Sequence, residues 1–419
     1  MNLTVASPIT DSPPSQTASI RQHDETVKPL DRIPSVDVLR GLAMILMALN
    51  HAQIFFFAGE RAMPLLPNSD LFLFFTRWTP GFCAPAFVFL AGVAAYLQLT
   101  RGKTKAELSR FLFTRGLWLI LLEVTTISFG VFFAFSIPVW QVFWALGISM
   151  VILAGLVRFP MPFIAAVGIA FVAGHNAFDH VHAASLGKWA TLWRLLHETG
   201  PISFAGKPIG YVAYPAIPWN GLMILGFCFG RTLSLPPPRR IRFAMVSGLC
   251  SLTLFLVLRG LHAYGDPTTW TYSADLATNL KNFLNVSHNP VSLQFCLMSL
   301  GVILLSLAWL DFLLTAGKAS WLRRYVEVYG RVPLFYYLLH IYVLHAVSIL
   351  LCALLGHDWH ILAAPLAQRM KVRLPEGYGF SLPAVYFIWI AVVTALFWPV
   401  RQYAKYKRAH PEKTWLSYL

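Results

Sequence analysis

Long apolar runs recur along the chain and are separated by shorter polar segments. Each run holds about 17–25 residues, the length of helix that spans about 30 Å of bilayer hydrocarbon. The runs begin near residues 35, 80, 110, 138, 161, 211, 242, 291, 332 and 382. This pattern predicts an all-α fold, a polytopic membrane helix bundle with about ten transmembrane helices.

Polar sequence stands at both ends of this apolar region. Residues 1–33 are rich in Ser, Thr, Pro and charge and contain no apolar segment of the kind found in a signal peptide. We therefore expect a disordered cytoplasmic tail over 1–33, one transmembrane domain over 34–405 and a cytoplasmic C-terminal tail over 406–419. No segment repeats with a period of 20–50 residues, which favours a single domain over a transporter built from inverted repeats.

Composition supports the membrane assignment. Of the 419 residues, 57% are hydrophobic and only 12% are charged, and the mean hydropathy of +0.60 is too high for one soluble core. Five cysteines are scattered through apolar runs without paired spacing, which predicts neither disulfides nor a zinc site. His175, His180 and His182 lack a further ligand at fixed spacing, so no metal is predicted.

The basic residues indicate topology rather than a nucleic-acid partner. The formal charge is +15, but Lys and Arg fall mainly at the ends of the apolar runs. Counted by alternate segments, about 21 lie on the side of the N-terminus and about 10 on the other side. By the positive-inside rule we expect both termini in the cytoplasm of a cell whose inner (plasma) membrane holds the protein. The longer loops, 176–210, 259–290 and 356–381, then lie on the opposite side.

The first apolar run carries polar residues at both ends. Asp37 and Arg40 are three residues apart, which on a helix places them on one face within pairing distance. Asn50 and His51 follow near the other end, with His51 about 16 Å further along the axis than Arg40. Ionisable groups inside a membrane span are costly, and are therefore candidates for function.

These residue types suggest acyl or phosphate chemistry. A guanidinium such as that of Arg40 binds phosphate with a planar fork, as a cytosolic polyanion like coenzyme A requires. A neutral imidazole such as that of His51 can take a proton from an amine or a hydroxyl. The structural alternatives are a helix-anchoring ion pair between Asp37 and Arg40 and a His51 that only bonds a neighbouring helix.

Four further residues are weaker candidates. Arg115 and Glu123 lie in the third run, and the favoured interpretation is that they form polar links to neighbouring helices. The alternative is that Arg115 joins Arg40 in binding phosphates and that Glu123 orients His51. Asn220 either binds substrate or links two helices. His340 is a candidate to line a cavity, and His345, five residues later, projects about 140° away from it.

Five blocks of the sequence resemble one membrane enzyme family. They are RIPSVDVLRGLAMILMALNH, FCAPAFVFLAG, YPAIPWNGLMILGFCFG, NPVSLQFCLMSLG and VYGRVPLFYYLLHIYVLH. In this order they resemble the heparan-alpha-glucosaminide N-acetyltransferase-like family and its bacterial members, from residue 32 onward. The spacing of Arg40 and His51 also resembles the first span of the wider transmembrane acyltransferase superfamily. The resemblance implies that His51 is essential for acyl transfer.

The sequence thus predicts a membrane acyltransferase that carries an acetyl or short acyl group from cytosolic acyl-CoA to an amine or hydroxyl of an extracytoplasmic sugar or glycan. Arg40 and Arg115 are the predicted donor-binding residues, and His51 acts as general base or carries the acyl group itself. The sequence is also compatible with a homodimer. A multi-pass transporter or flippase in which Asp37, Arg40 and His51 relay protons or anions is the main alternative, and a membrane scaffold is a third.

Overall fold

The fold is a bundle of membrane helices. The computed structural model describes residues 33–59 and 70–418, together with Met1. Its α-helices are, in chain order, α1 (Pro34–Phe56), α2 (Leu71–Trp78), α3 (Cys83–Leu99), α4 (Lys105–Leu122), α5 (Ser128–Phe132), α6 (Val142–Leu156), α7 (Met161–Gly174), α8 (Ala190–Leu196), α9 (Ala216–Gly230), α10 (Pro237–Gly260), α11 (Leu276–Leu284), α12 (Leu293–Thr315), α13 (Glu327–Arg331), α14 (Pro333–Leu354), α15 (Leu366–Arg369) and α16 (Leu382–Ala409).

Short helical turns join several of these helices into longer ones. The 3-10 turn Thr79–Phe82 makes α2 and α3 one helix from Leu71 to Leu99, and the π-helical turn Glu123–Ile127 joins α4 to α5. A second π-helical turn, Leu322–Val326, leads into α13. The remaining 3-10 turns are His175–Phe178, Ala183–Trp189, Arg231–Ser234, Trp359–Ile361 and Thr414–Tyr418.

The polytopic helical fold is confirmed. Among the described residues, eight helices are long and apolar enough to cross a membrane. The other two predicted spans correspond to α6 and α9, which have 15 residues each. At 1.5 Å per residue such a helix is only about 22 Å long, less than the usual hydrocarbon thickness. Helix length alone therefore does not fix the number of crossings, and ten remains a prediction.

A small β-sheet departs from the all-α expectation. Its strands are β1 (Val139–Trp140), β2 (Gly200–Phe204) and β3 (Lys207–Val212), in the order β1-β3-β2. β1 pairs parallel to β3, with Val139 opposite Tyr211, and β2 pairs antiparallel to β3. The spans predicted from near 138 and 211 were therefore placed too early, because β-branched and aromatic residues there form extended backbone.

The second span was predicted too late. It was expected from near residue 80 but begins at Leu71, where the Asp70 side chain accepts a hydrogen bond from the Leu73 amide at 2.8 Å and caps the helix. Thr76 and Arg77 interrupt the apolar run, so the hydrophobic pattern does not predict the first two turns of this helix. At the other end of the chain α16 continues to Ala409, past the expected boundary at 405. The predicted tail 1–33 lies outside the described residues except for Met1 and Ile33.

The first helix occupies the centre of the bundle. Sixteen of the 23 residues of α1 are buried, which is the pattern of a helix covered on all sides rather than on one stripe. It packs against α3, α12, α13, α14 and α16. Its polar residues therefore point at other helices and at internal cavities.

Candidate active site

Two histidines from distant parts of the chain meet inside the bundle. His51 on α1 and His340 on α14 are both buried, and His51 Nδ1 lies 2.8 Å from His340 Nε2. His340 Nδ1 in turn lies 2.8 Å from the backbone carbonyl oxygen of Tyr336. The structure thus pairs the predicted catalytic residue with one that the sequence suggested only as part of a cavity wall.

These contacts define the protonation pattern of the pair. A carbonyl oxygen only accepts, so His340 Nδ1 carries the hydrogen that it donates to Tyr336. In neutral His340 the Nε2 atom is then an acceptor, and His51 Nδ1–H donates to it. The basic lone pair of His51 consequently lies on Nε2. This is the arrangement of a base whose tautomer is fixed by a second group.

Tyr337 joins the histidine pair to a large cavity. Its ring lies edge-on to His51, with centroids 5.6 Å apart, and edge-on to His340 at 5.3 Å. It also packs on Phe143 at 4.5 Å, and both aromatic residues line the cavity. Tyr337 thus contacts His51 and also lines the cavity.

The cavity is cationic at some positions and apolar at others. We call it the donor cavity; its volume is about 660 Å³. Six basic residues line it, and no acidic residue is among the described residues of its wall. The basic residues are Arg40, Arg101, Lys103, Arg115, Arg331 and Lys407. Along α4 the wall runs from Phe111 to Leu119, about 12 Å of helix, so the cavity suits an elongated anion with an apolar end.

The contacts of Arg40 fit both interpretations of this residue, as a helix anchor and as a phosphate-binding group. One terminal nitrogen, Nη1, donates to Asp37 Oδ1 at 3.0 Å and to the Gly330 carbonyl oxygen at 3.2 Å. The guanidinium also lines the donor cavity, together with Arg115. The ion pair thus fixes the position of a cation that faces the cavity, and Asp37 acts as its support.

The contact between α1 and α13 holds Arg40 in place. A Cβ atom at Gly330 would overlap the carbonyl oxygen of Asp37, and one at Gly41 would overlap that of Val326. The two backbones approach this closely only because both positions are glycine. Gly330 thereby brings its own carbonyl within reach of Arg40.

Glu123 and Asn220 make structural contacts. Glu123 Oε2 accepts from the Phe143 amide at 2.8 Å and from the Trp144 amide at 3.1 Å, which caps the N-terminus of α6. The structure does not support the alternative in which Glu123 orients His51, because the contact with His51 Nδ1 is made by His340. Asn220 Oδ1 accepts from Ser149 Oγ at 2.8 Å and links α9 to α6. Asn50 lies beside His51 on α1 and is half-buried.

Several residues of the donor cavity were missed by the sequence. Arg101 and Lys103 lie in a basic loop that the positive-inside rule already explains, because a cytoplasmic loop and an anion site both require basic residues at the same place. Burial lowers the pKa of the Lys103 amine, although the nearby Glu107 carboxylate raises it in part. Its Nζ lies 4.0 Å from the centre of the Phe111 ring. Tyr418 also lines the cavity, and its hydroxyl oxygen is hydrogen-bonded to Thr114 Oγ1 at 2.9 Å.

The other histidines of interest have backbone partners. His345 Nδ1 lies 2.9 Å from the Gly130 carbonyl oxygen and its Nε2 lies 3.1 Å from that of Leu362, so it faces away from His51. His175 Nε2 lies 2.7 Å from the Val291 carbonyl oxygen. Within residues 33–59 and 70–418, no group of three or more His, Cys, Asp or Glu is arranged to hold a metal ion.

Comparison with known families locates the same part of the chain. A family model described as heparan-alpha-glucosaminide N-acetyltransferase, catalytic, matches residues 32–272, which is more than half of the chain. No curated protein matches at a significant level. The matched residues include Arg40, His51 and Arg115, whereas Tyr337 and His340 follow later in the sequence.

Proposed function

Because the chain belongs to the heparan-alpha-glucosaminide N-acetyltransferase family, we propose that it moves an acetyl or short acyl group from cytosolic acyl-CoA to an amine or hydroxyl of a sugar or glycan on the other side of the membrane. The donor cavity carries this proposal. It combines six cations with an apolar wall that ends at Tyr337, next to His51. An acyl-CoA presents both a polyanionic nucleotide and an apolar acyl arm, and so matches both features.

Arg40 and Arg115 are the proposed phosphate ligands. Arg binds phosphate oxygens through parallel N–H groups, and a preformed contact of Arg40 with Asp37 and Gly330 limits the entropy lost on binding. The pantetheine arm and acyl group would follow the apolar wall, which includes Met44 and Leu146. This direction brings the thioester toward Tyr337.

His51 Nε2 is the proposed base. In a direct transfer, the acceptor nitrogen or oxygen attacks the thioester carbonyl carbon while His51 Nε2 takes its proton. The carbon–sulfur bond then breaks, and the same proton returns to the departing thiolate. While His51 is cationic, its Nδ1–H bond to His340 becomes charge-assisted and stronger.

A two-step transfer uses the same atom. His51 Nε2 would then attack the thioester carbonyl carbon, and the carbon–sulfur bond would break with the thiolate as leaving group. The acceptor would next attack the acyl group and break its bond to Nε2, and the acceptor's proton would end on the thiolate. Both routes need the lone pair on Nε2, so both depend on His340. They differ in whether labelled acyl protein accumulates when the acceptor is withheld.

The test is mass spectrometry of the purified protein with isotope-labelled acetyl-CoA and a mixture of amino sugars. We expect labelled acetyl-sugar from the wild type, and at least about 10²-fold less turnover from His51→Ala with donor affinity retained. A transporter would bind the donor and form no labelled product. Normal turnover in a folded His51→Ala variant would exclude the proposed mechanism.

A further inference from the structure

A second cavity lies beside the donor cavity, and we call it the rim cavity. It is formed where Leu71–Leu99 ends and where α9 gives way to the turn Arg231–Ser234. Its volume is about 790 Å³, and Arg101 lines both it and the donor cavity. It therefore lies at the end of a helix that is long and apolar enough to cross a membrane, where we expect lipid headgroups.

The wall of the rim cavity has two chemical halves. Arg101 and Arg231 supply two guanidiniums, and no acidic residue is among the described residues of the wall. The hydroxyl of Ser234, which is exposed, has no hydrogen-bond partner in the part of the chain that the structure describes. The other half of the wall is apolar and includes Tyr96, Leu99 and Leu235.

Other hydroxyls at the cavity are already used. Thr100 Oγ1 donates to the Leu97 carbonyl oxygen at 2.9 Å, and Thr232 Oγ1 donates to that of Phe229 at 2.8 Å. Besides the phenol of Tyr96, the side-chain groups that remain to bind a ligand are the two guanidiniums and Ser234. Two forked cations and a hydroxyl match the oxygens of a phosphate ester.

We propose that the rim cavity binds the phosphate of an anionic phospholipid headgroup, with the acyl chains beside Leu99 and Leu235. A basic pocket between membrane helices, open to the bilayer edge, provides both the charge and the apolar surface that such a lipid requires. A free phosphate would use only the cationic half. Arg101 is shared with the donor cavity, but Arg231, Ser234 and Leu235 line only the rim cavity, so the proposal does not rest on the acyl-transfer chemistry.

The experiment is native mass spectrometry of the full chain in detergent, titrated with phosphatidylglycerol. Parallel titrations use phosphatidylethanolamine and inorganic phosphate. We expect the wild type to retain phosphatidylglycerol in preference to both, and Arg231→Gln to weaken retention about tenfold, as expected for loss of a charge-assisted bond. Arg231→Lys should lose less than Arg231→Gln, since it keeps the charge.

Arg239→Gln is the matched control. Arg239 is exposed on the same segment of chain but does not line the rim cavity, so its loss should leave lipid retention unchanged. Thermal unfolding of each variant checks that the fold is intact. Equal retention by wild type and a folded Arg231→Gln variant would overturn the proposal.

Two other results would also overturn it. Displacement of the lipid by inorganic phosphate at equal concentration would show a site for free anions. Weaker acyl-CoA binding in Arg231→Gln with unchanged lipid retention would show that the rim cavity is an extension of the donor cavity. Conversely, failure of the acyl-transfer test together with normal lipid retention would leave the lipid site standing.

Discussion

The tautomer of His51 depends on its contact with His340. His340 accepts from His51 Nδ1–H because its own Nδ1–H is committed to the Tyr336 carbonyl. Rotation of the His51 ring would redirect the Nε2 lone pair, and a change of tautomer would place a hydrogen on Nε2 and remove it. His340 is therefore a positioning residue for the proposed chemistry.

Substitution of His340 should lower turnover more than donor affinity. We expect His340→Ala to reduce kcat about tenfold, the value of one buried hydrogen bond, with little change in the Kd for acyl-CoA. His340→Gln should recover part of the loss, since an amide oxygen can accept from His51 Nδ1–H. Steady-state kinetics and a calorimetric donor titration on the same preparations measure both. Equal kcat for wild type and His340→Ala would contradict the positioning role.

Arg40 should not be replaceable by lysine. Arg40→Lys keeps the charge but loses the planar fork that serves Asp37, Gly330 and the cavity together. We expect acyl-CoA affinity to fall about tenfold in a calorimetric titration. Arg158→Lys, an exposed arginine outside the donor cavity, is the control. Unchanged affinity for Arg40→Lys would reduce Arg40 to a helix anchor.

Helix packing places the residues of the site. The backbones of α1 and α13 are in close contact at Gly41 and Gly330, and the Gly330 carbonyl oxygen accepts a hydrogen bond from Arg40. Any increase in the separation of the two helices would therefore move the proposed phosphate ligand. We therefore expect stability and donor binding to be coupled through this contact.

The substitution Gly330→Ala tests that coupling. Its Cβ would overlap the Asp37 carbonyl, so we expect a loss of about 1–3 kcal/mol of stability and weaker donor binding together. Gly155→Ala in α6 is the control, because within the described residues no atom of another element lies within 4 Å of the Cβ it would add. Thermal unfolding and a donor titration give both quantities. A Gly330→Ala variant with wild-type stability would show that the helices can separate without cost.

Apolar run length predicted where most helices lie, because crossing hydrocarbon imposes a minimum length. It failed at Leu71, where Thr76 and Arg77 interrupt the run, and at β1 and β3, whose extended backbone depends on pairing between distant segments. The polar residues of α1 were identified for the same physical reason, the cost of burial in a membrane.

The partner of His51 was beyond the reach of the sequence. His340 lies 289 positions away, and only the packing of α1 against α14 brings the two rings together. Arg101 and Lys103 stand out in the sequence as basic residues, but the positive-inside rule alone explains their positions. Local patterns thus predicted individual candidate residues, whereas the site required contacts between distant helices.

At the scale of the whole molecule, the β-sheet constrains how often the chain crosses the membrane. β1 follows the crossing helix Lys105–Phe132, and β3 follows the later crossing helix Met161–Phe178. Paired strands lie on one side of a bilayer. Between them the chain must therefore cross an even number of times, which requires α6 to cross along with Met161–Phe178.

The same reasoning applies to α9. Tyr264 Oη donates to the Ala173 carbonyl at 2.7 Å, so the loop after α10 lies at the same end of the bundle as the loop after α7. Between β3 and Tyr264 the chain passes through α9 and Pro237–Gly260, and these must cross together. Both arguments favour ten crossings over eight, despite the short lengths of α6 and α9.

The ten-crossing topology makes a prediction that eight crossings do not share. Reporters fused after residues 105, 238 and 320 should report the cytoplasm in either case if the N-terminus is cytoplasmic. Reporters within 180–205 should report the opposite side only if α6 crosses, because without that crossing the segment returns to the cytoplasm. Reporters within 265–285 lie outside in both arrangements and serve as the control.

Lys188 is exposed in the segment 180–205, so Lys188→Cys should react with a membrane-impermeant maleimide added to intact cells. A cytoplasmic 180–205 segment would break the pairing of β1 with β3, and with it the arrangement of α6 that places Phe143 against Tyr337.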